Sequence, residues 1–499
     1  MKKFETDLVV IGCGAAGLSC ALSALEKGMN VINLERAKRE DMGGSTRWTE
    51  ANLLVKKRSN QEGFEIADQF VDYYSLFSGF HTDPDIIAET TKDYNSWSML
   101  AKTTPFLDPE VLGTFAESVA PTLDWVAEKG VVVESTTSTI PYCIDTLPYH
   151  KIYGGGLAIV ETLTPKIEEL GGSILFETTA KDLIEEDGRV IGVRCSGKNN
   201  ETVEVYGSVV LASGGFEGNQ QMLVQYGGKA NRYLRPVAKG THYNKGEGLR
   251  MALDMNAATA GDWSDCHRQV VDPRSGMPEA MVNIWPFGIM VNQDGNRFMD
   301  EAPTNPMLWQ EYPGEQITKQ SGGTAYVIYD DQLASDTESK WKYGIRTEIP
   351  PIKANTLDEL AMQLVIPPEQ LKQTVEQFNS GCVNAAKVDY TKGSAVTLIM
   401  DGAGTENVSP SKGNYGKPIN QGPYYAYPVV SSICFTYGGL RVNGQAQVVN
   451  ASGETIPGLY AAGETVGMHY GIYTVGTSVL RGLCFGRIAA LHAANIGAK

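Results

Sequence analysis

Near the start of the chain, Gly12-Cys13-Gly14-Ala15-Ala16-Gly17 carries the spacing G-x-G-x-x-G. The backbone of such a loop can close around a pyrophosphate. Gly12 permits the tight turn, Gly14 lets the chain approach the phosphates, and Gly17 lets a helix pack close on a strand. A helix starting there would turn free N–H groups and its positive dipole end toward the same anion. Glu35 falls where a carboxylate can accept hydrogen bonds from a ribose, and it disfavours a 2′-phosphate. After Glu35-Arg36 comes a second glycine pair, Gly43-Gly44-Ser45-Thr46. That loop can wrap a further phosphate region and bring amides to a large planar ring. A nicotinamide-linked dehydrogenase has no use for it, so the pattern favours FAD.

A lone glycine motif is weak, and the elements around it decide its meaning. Residues 7–11 are a short apolar run suited to a buried parallel strand. An Ala/Leu/Ser stretch of helical spacing runs to Lys27 and is closed by Gly28, and residues 31–34 form a second strand ending on Glu35. This is a βαβ unit. Further helices are expected over about 84–129 and over 157–170, the latter opened by Gly154-Gly155-Gly156. Strands are expected at 173–177, 180–186, 190–195 and 208–212, with Asp187-Gly188 as a hairpin turn. From about Gly261 to Pro418 tryptophan and proline are more frequent and the strands shorter. From Pro423 the strand–turn–helix grammar returns, ending in a helix over 477–496. The expected fold class is α/β: a Rossmann-like FAD-binding domain with an inserted α+β substrate-capping domain. The first is discontinuous, 1–261 and 419–499, and the cap is 262–418.

At 499 residues two or more domains are expected, and 42% hydrophobic with 20% charged residues is a globular composition. A net charge of −16 argues against a nucleic-acid partner. No window supplies the roughly 20 apolar residues of a membrane helix, and no secretory cleavage pattern follows the N-terminus. A cytoplasmic enzyme, unprocessed and without a membrane partner, is the expectation. The eight cysteines form no C-x-x-C, which removes iron–sulfur, c-type haem and thioredoxin-like readings.

The chain resembles the flavoproteins of the fumarate reductase, 3-ketosteroid dehydrogenase and tricarballylate dehydrogenase group. The likeness runs through the motif at 12–17, Glu35, the loop at 43–46, Gly154-Gly155-Gly156, and Ala180 before Asp187-Gly188-Arg189-Val190. It continues through Ala212-Ser213-Gly214-Gly215-Phe216, Gly246-Glu247-Gly248, Val291-Asn292, Gly295-Asn296-Arg297-Phe298 and Tyr437-Gly438-Gly439-Leu440. Ile456-Pro457-Gly458-Leu459-Tyr460-Ala461-Ala462-Gly463-Glu464 is its most specific segment, and Phe485-Gly486-Arg487-Ile488-Ala489 matches the last helix. The resemblance implies FAD contacts at Gly12, Gly14, Ala15, Ala16 and Gly17, with Glu35 on the adenosine ribose beside Arg36. Gly43, Gly44, Ser45 and Thr46 would form the pyrophosphate and flavin-edge loop, with Ser213 and Gly214 close by. Ala180 would pair with adenine, and Glu247, Gly463 and Glu464 would hold the ribityl and flavin region. Ser478 and Val479 would aim amides at the flavin C2 carbonyl, where a helix dipole favours charge on reduced flavin. Some relatives attach FAD to a His in the loop over 43–52; none is present here, so non-covalent FAD is expected.

The departures bear on the substrate. The column of the fumarate reductases' proton-donating Arg, a Tyr in ketosteroid dehydrogenases, falls on Asn305. Their His pair is Cys434-Phe435 here, and their dicarboxylate-clamping Arg aligns with Tyr473. Three such losses speak against fumarate or succinate. The candidates for proton handling are Tyr473, Tyr437, His469 and His242, with Asn305 in the donor column. Tyr470 and Tyr243 lie in the same loops, although most tyrosines serve packing. A phenol there can hydrogen-bond a developing enolate. Arg441 and Arg481 are candidate anion contacts, with an ion pair the commoner role for Arg481. Trp263, Trp285 and Trp309 could wall a substrate or simply fill a core.

The favoured function is hydride transfer between FAD N5 and a carbon adjacent to an activating carbonyl, as an ene-reductase or a CH–CH dehydrogenase. The substrate is a small molecule, not a dicarboxylate, with cyclic enones and ketosteroid-like compounds as candidates. With no second G-x-G-x-x-G, electrons would pass to or from a separate carrier or oxygen. A flavin amine or amino-acid oxidase, and a non-catalytic flavin-binding subunit for electron relay or assembly, are the alternatives.

Overall fold

The computed structural model describes residues 1–57, 63–66, 93, 96, 108–135, 149–304, 311–336, 344–389, 401–471 and 473–497. Its first sheet grows from the strand Lys2–Ile11, which pairs in parallel with Val31–Leu34 on one side and Thr202–Leu211 on the other. Ser173–Leu175 extends it beyond Val31–Leu34, and Thr455–Ala461 beyond Thr202–Leu211, again in parallel. The hairpin Thr179–Glu186 and Arg189–Ser196 adds antiparallel to Thr202–Leu211. The first strand begins five residues before the apolar run. Lys2 pairs with Val203 and Phe4 with Val205, so partner strands rather than local hydrophobicity set its start.

The helix Ala15–Glu26 buries every residue from Ala15 to Ala24. It packs on the final helix Ser478–Gly497, and glycines permit that approach: a Cβ on Gly486 would stand 2.2 Å from the Ala16 carbonyl oxygen. Of the helix expected over 84–129, Pro109–Glu128 is described, with Asp108 capping it by accepting from Glu110 N at 3.0 Å; 84–92, 94, 95 and 97–107 lie outside the described residues. A small antiparallel sheet of Val133–Ser135, Tyr149–Ile152, Asn52–Lys57 and Phe64–Ile66 stands beside the second glycine loop.

A second sheet is centred on the long strand Tyr424–Thr436. Thr324–Asp330, Cys266–Val271 and Ile352–Ala354 pair with it antiparallel and Arg235–Pro236 in parallel, while Ile289–Val291 adds to Thr324–Asp330. Its own apolar core includes Trp285, Phe287, Met290 and Tyr427. A division at residue 419 would assign Tyr424–Thr436 to the first unit, yet its hydrogen bonds lie in the second sheet. The architecture is α/β, a first sheet with a parallel centre and antiparallel additions joined to a second mixed sheet. Pairing of Cys266–Val271 with Tyr424–Thr436 slips between His267 and Arg268, leaving Cys434 as an unmatched bulge residue. Bulges re-aim side chains, and this one opens onto the main cavity.

Candidate active site

One cavity runs from the glycine motif of the first sheet to the bulge of the second. At the motif end the backbone leaves glycine no substitute. Gly12 holds φ +109°, and a Cβ on it would stand 2.3 Å from the Ala212 carbonyl oxygen. Gly17 does not line the cavity; a Cβ there would lie 2.0 Å from Gly12 O, so it serves helix–strand packing. Gly14, Ala15 and Ala16 present the helix N-terminus to the cavity. The Glu35 carboxylate accepts from Ala37 N at 2.8 Å, and amides of Gly43 and Cys13 also face it. Burial pushes its pKa up and those N–H groups oppose the rise.

The second loop wraps the same space. Gly43 and Gly44 adopt φ +109° and +53°, leading into the 3₁₀ turn Gly44–Trp48. Thr46 Oγ1 accepts from Ala15 N at 3.0 Å, tying the two loops together. Gly154 and Gly155 also have positive φ and open the helix Gly155–Glu169. A Cβ on Gly156 would stand 1.8 Å from Thr46 O, and Gly156 N donates to Thr49 O at 2.9 Å. The triple glycine thus seats the second loop. Ala180, Ser213 and Gly214 line the cavity as well. Glu247 lines it too, and Arg36 donates to it at 2.7 Å.

Farther in, Glu464 accepts from Thr436 N at 2.8 Å and Thr436 Oγ1 at 3.1 Å. Glu217 faces it, accepts from Asn244 Nδ2 at 2.9 Å, and through that amide reaches Ser45 Oγ at 3.2 Å. Burial pushes the Glu217 pKa well up, and the Glu464 charge adds to it. Gly463 and the N-terminus of the last helix, Ser478 and Val479, complete this end. The Tyr473 hydroxyl lies on that terminus, accepting from Gly476 N at 3.0 Å and Ser478 N at 3.2 Å and donating to Ser478 Oγ at 3.1 Å. Burial raises its pKa.

The chamber beyond is walled by His267, Gln269, Glu279, Met281, Arg346, Cys434, Phe435 and Tyr473. Sequence reasoning missed His267, Gln269, Glu279 and Arg346. His267 Nδ1 stands 2.8 Å from Glu311 Oε1, and its Nε2 is 3.1 Å from Gln269 Nε2. Glu311 also accepts from Arg268 N at 2.6 Å and from the Tyr437 hydroxyl at 2.5 Å. Arg346 is paired with Glu50 at 2.6 Å and Glu279 at 3.4 Å. Glu279 has its pKa pushed up to about 7, chiefly by burial, against the pull of Arg346.

The remaining expected residues fall elsewhere. Tyr437 is fully buried behind the chamber wall and acts on Glu311. His469 is also fully buried, against the rings of Phe435, Tyr437 and Tyr473, and burial lowers its pKa well below the usual range. His242 is exposed and outside the cavity lining. Asn305 and Trp309 lie outside the described residues. Trp263 stacks on Phe216 at 5.6 Å and Trp285 is buried in the second core, so both are packing residues. Arg441 pairs with Asp108 at 3.2 Å. Arg481 makes no ion pair among the described residues; it donates to Val466 O at 3.1 Å and lines the cavity beside Phe435.

Two glycine loops tied through Thr46, on a parallel sheet, define a dinucleotide-binding flavoprotein. The family described as "FAD binding domain" matches residues 7–479, and the chain belongs to it. The chain is 28% identical to NADH:acrylate oxidoreductase of Vibrio harveyi, over 98% of its own length and 50% of that protein. It therefore spans about half the length of that relative. It is 26% identical to vinyl phenol reductase of Lactiplantibacillus plantarum, over 99% of this chain and 97% of that one. Among solved structures, the open conformation of a flavocytochrome c3 fumarate reductase is similar in fold. Its TM-score is 0.72 at 23% identity, covering 99% of this chain and 79% of that one. FAD is thus the group that the close-approach glycines fit. Among the described residues no helix is long and apolar enough to cross a membrane.

Proposed function

We propose that this chain is a flavin-dependent oxidoreductase that reduces a C=C bond, or desaturates a CH–CH bond, next to an activating group. The observation carrying this reading is the continuity of the cavity. The FAD cradle at Gly12–Gly14 and Gly43–Thr46 opens without a break into a chamber bearing His267, Gln269 and Tyr473. FAD, when bound, supplies hydride chemistry. The chain's own residues hold it through Glu35, Glu464 and the N-terminus of the last helix, and they handle the proton. Residues 43–52 contain no His, which supports non-covalent FAD.

The pairing of Arg346 speaks for a neutral substrate at that end of the chamber. Arg346 is matched by two carboxylates, and a substrate carboxylate would have to displace one of them. The same pairing weighs against an amino-acid α-carboxylate at Arg346, while Arg481, beside Phe435, is another guanidinium of the cavity. Phe435, Tyr473 and Met281 offer an apolar wall for a conjugated or cyclic skeleton. The polar side chains facing the wall weigh against a non-catalytic flavin carrier. With one nucleotide-binding motif in the chain, a separate electron carrier or oxygen completes the cycle. The second sheet acts as the substrate cap.

The test is an anaerobic screen of photoreduced protein against cyclohex-2-enone, 4-vinylphenol, acrylate, 4-androstene-3,17-dione and fumarate, following flavin absorbance. A neutral activated alkene should reoxidise the flavin while fumarate leaves it reduced. A protein reoxidised by fumarate alone, or by no alkene, defeats the reading.

A further inference from the structure

The geometry points to His267 as the proton donor and acceptor of the reaction in this chamber, with Glu311 and Tyr437 as its positioning residues. This rests on the hydride-transfer reading above and names the residue that handles its proton. Three donors from two places in the fold, the strand Cys266–Val271 and the residue that follows Tyr424–Thr436, converge on the buried Glu311 carboxylate. His267 Nδ1 and the Tyr437 hydroxyl reach Oε1 at 2.8 and 2.5 Å, and Arg268 N reaches Oε2 at 2.6 Å. A carboxylate so surrounded acts as an acceptor, and its hydrogen bond keeps the proton of the neutral ring on Nδ1. Nε2 is then the nitrogen free to exchange a proton, and the ring lines the chamber.

The surroundings fit that task. The rings of Tyr473 and Phe435 hold the imidazole at centroid distances of 4.8 and 5.2 Å. Gln269, two residues along the same strand, places its amide 3.1 Å from Nε2 and can hand that position to a substrate. Glu279 is a second carboxylate whose charge acts on the ring, with Arg346 beyond it. Neither His469 nor His242 lines the chamber.

In the reducing direction, the imidazolium of His267 gives its Nε2 proton to the carbon next to the activating group. The N–H bond breaks, a C–H bond forms using the former π electron pair, and the ring becomes neutral. The other alkene carbon takes a hydride, both electrons coming from reduced flavin. In desaturation the neutral ring removes that proton as the hydride leaves.

Two arms test this on the FAD-loaded protein. In the first, nitrogen-15-histidine NMR of oxidised holoenzyme, with no alkene present, should show a far-downfield Nδ1–H resonance. It should vanish in His267→Asn and move upfield in Glu311→Gln; a resonance unmoved in Glu311→Gln overturns the dyad. In the second, photoreduced protein meets 4-vinylphenol and cyclohex-2-enone in deuterated buffer. His267→Asn, with wild-type flavin content and circular dichroism, should reoxidise about 100-fold more slowly. Tyr437→Phe, which leaves Glu311 its other two donors, should lose less than tenfold. Reoxidation of His267→Asn at the wild-type rate overturns the assignment. If His267→Asn does not hold FAD, His267→Gln takes its place under the same criteria. Wild-type protein that fails with both alkenes defeats the hydride-transfer reading, and the NMR arm still decides whether the dyad exists.

Discussion

The hydroxyl oxygen of Thr46 accepts a 3.0 Å hydrogen bond from the backbone amide of Ala15, joining the second glycine loop to the first turn of the first helix. The two glycine loops are thereby one unit. Thr46→Val removes the acceptor at nearly constant volume and should weaken FAD binding about fivefold, as one hydrogen bond of about 1 kcal/mol implies. Thr46→Ser should retain affinity. Flavin fluorescence titration of the apoprotein measures both, and equal affinity for Val and Thr would show that the tie is idle.

Gly215 sits where Glu464 and Thr436 meet. A Cβ there would stand 2.0 Å from Thr436 Oγ1 and 2.2 Å from Glu464 Oε1. Gly215→Ala must push the carboxylate from its two donors, an overpacking effect of about 1–3 kcal/mol. A lower melting temperature and a lower flavin-to-protein ratio are expected. Full flavin occupancy with unchanged melting would contradict the placement of Glu464.

Glu279 makes a pH-dependent contribution. Its folded-state pKa of about 7 lies above the ordinary 4.5, so the folded state binds the proton more tightly than the unfolded one. Its contribution is complete below about pH 4.5, declines as pH rises toward 7, and is lost above that. Glu279→Gln should flatten the fall in melting temperature between pH 5 and 8. A parallel offset with the same slope would mean that Glu279 does not titrate in this window.

Tyr473→Phe leaves the amides of Gly476 and Ser478 without the hydroxyl they share. Flavin should remain bound, while its reoxidation by an activated alkene slows by about tenfold or more. An unchanged single-turnover rate would make Tyr473 a wall residue only.

Acid precipitation of the yellow protein should release the chromophore into the supernatant. Colour retained in the pellet would show a covalent bond to the chain.

The glycine loops at one end of the cavity were legible because backbone geometry there allows only glycine. At Gly12, Gly17 and Gly156 a single Cβ would collide with a carbonyl, so residue type alone carries the information. The chamber was not legible in the same way. Glu311 lies 44 residues from His267 and 126 from Tyr437, and antiparallel strand pairing rather than sequence spacing brings Phe435 and its neighbours to the imidazole. A trace existed: His267 and Gln269 alternate along one strand, as residues sharing a face do. Tyr424–Thr436 reads locally like a strand of the first unit, and only its hydrogen-bond partners place it in the second sheet.

The most direct measurement is an anaerobic single-turnover titration of photoreduced, FAD-loaded protein with 4-vinylphenol and with cyclohex-2-enone. The account expects one of them to oxidise the flavin and yield one equivalent of the saturated product per FAD. Flavin that stays reduced with both, yet reoxidises at once when air is admitted, would contradict it.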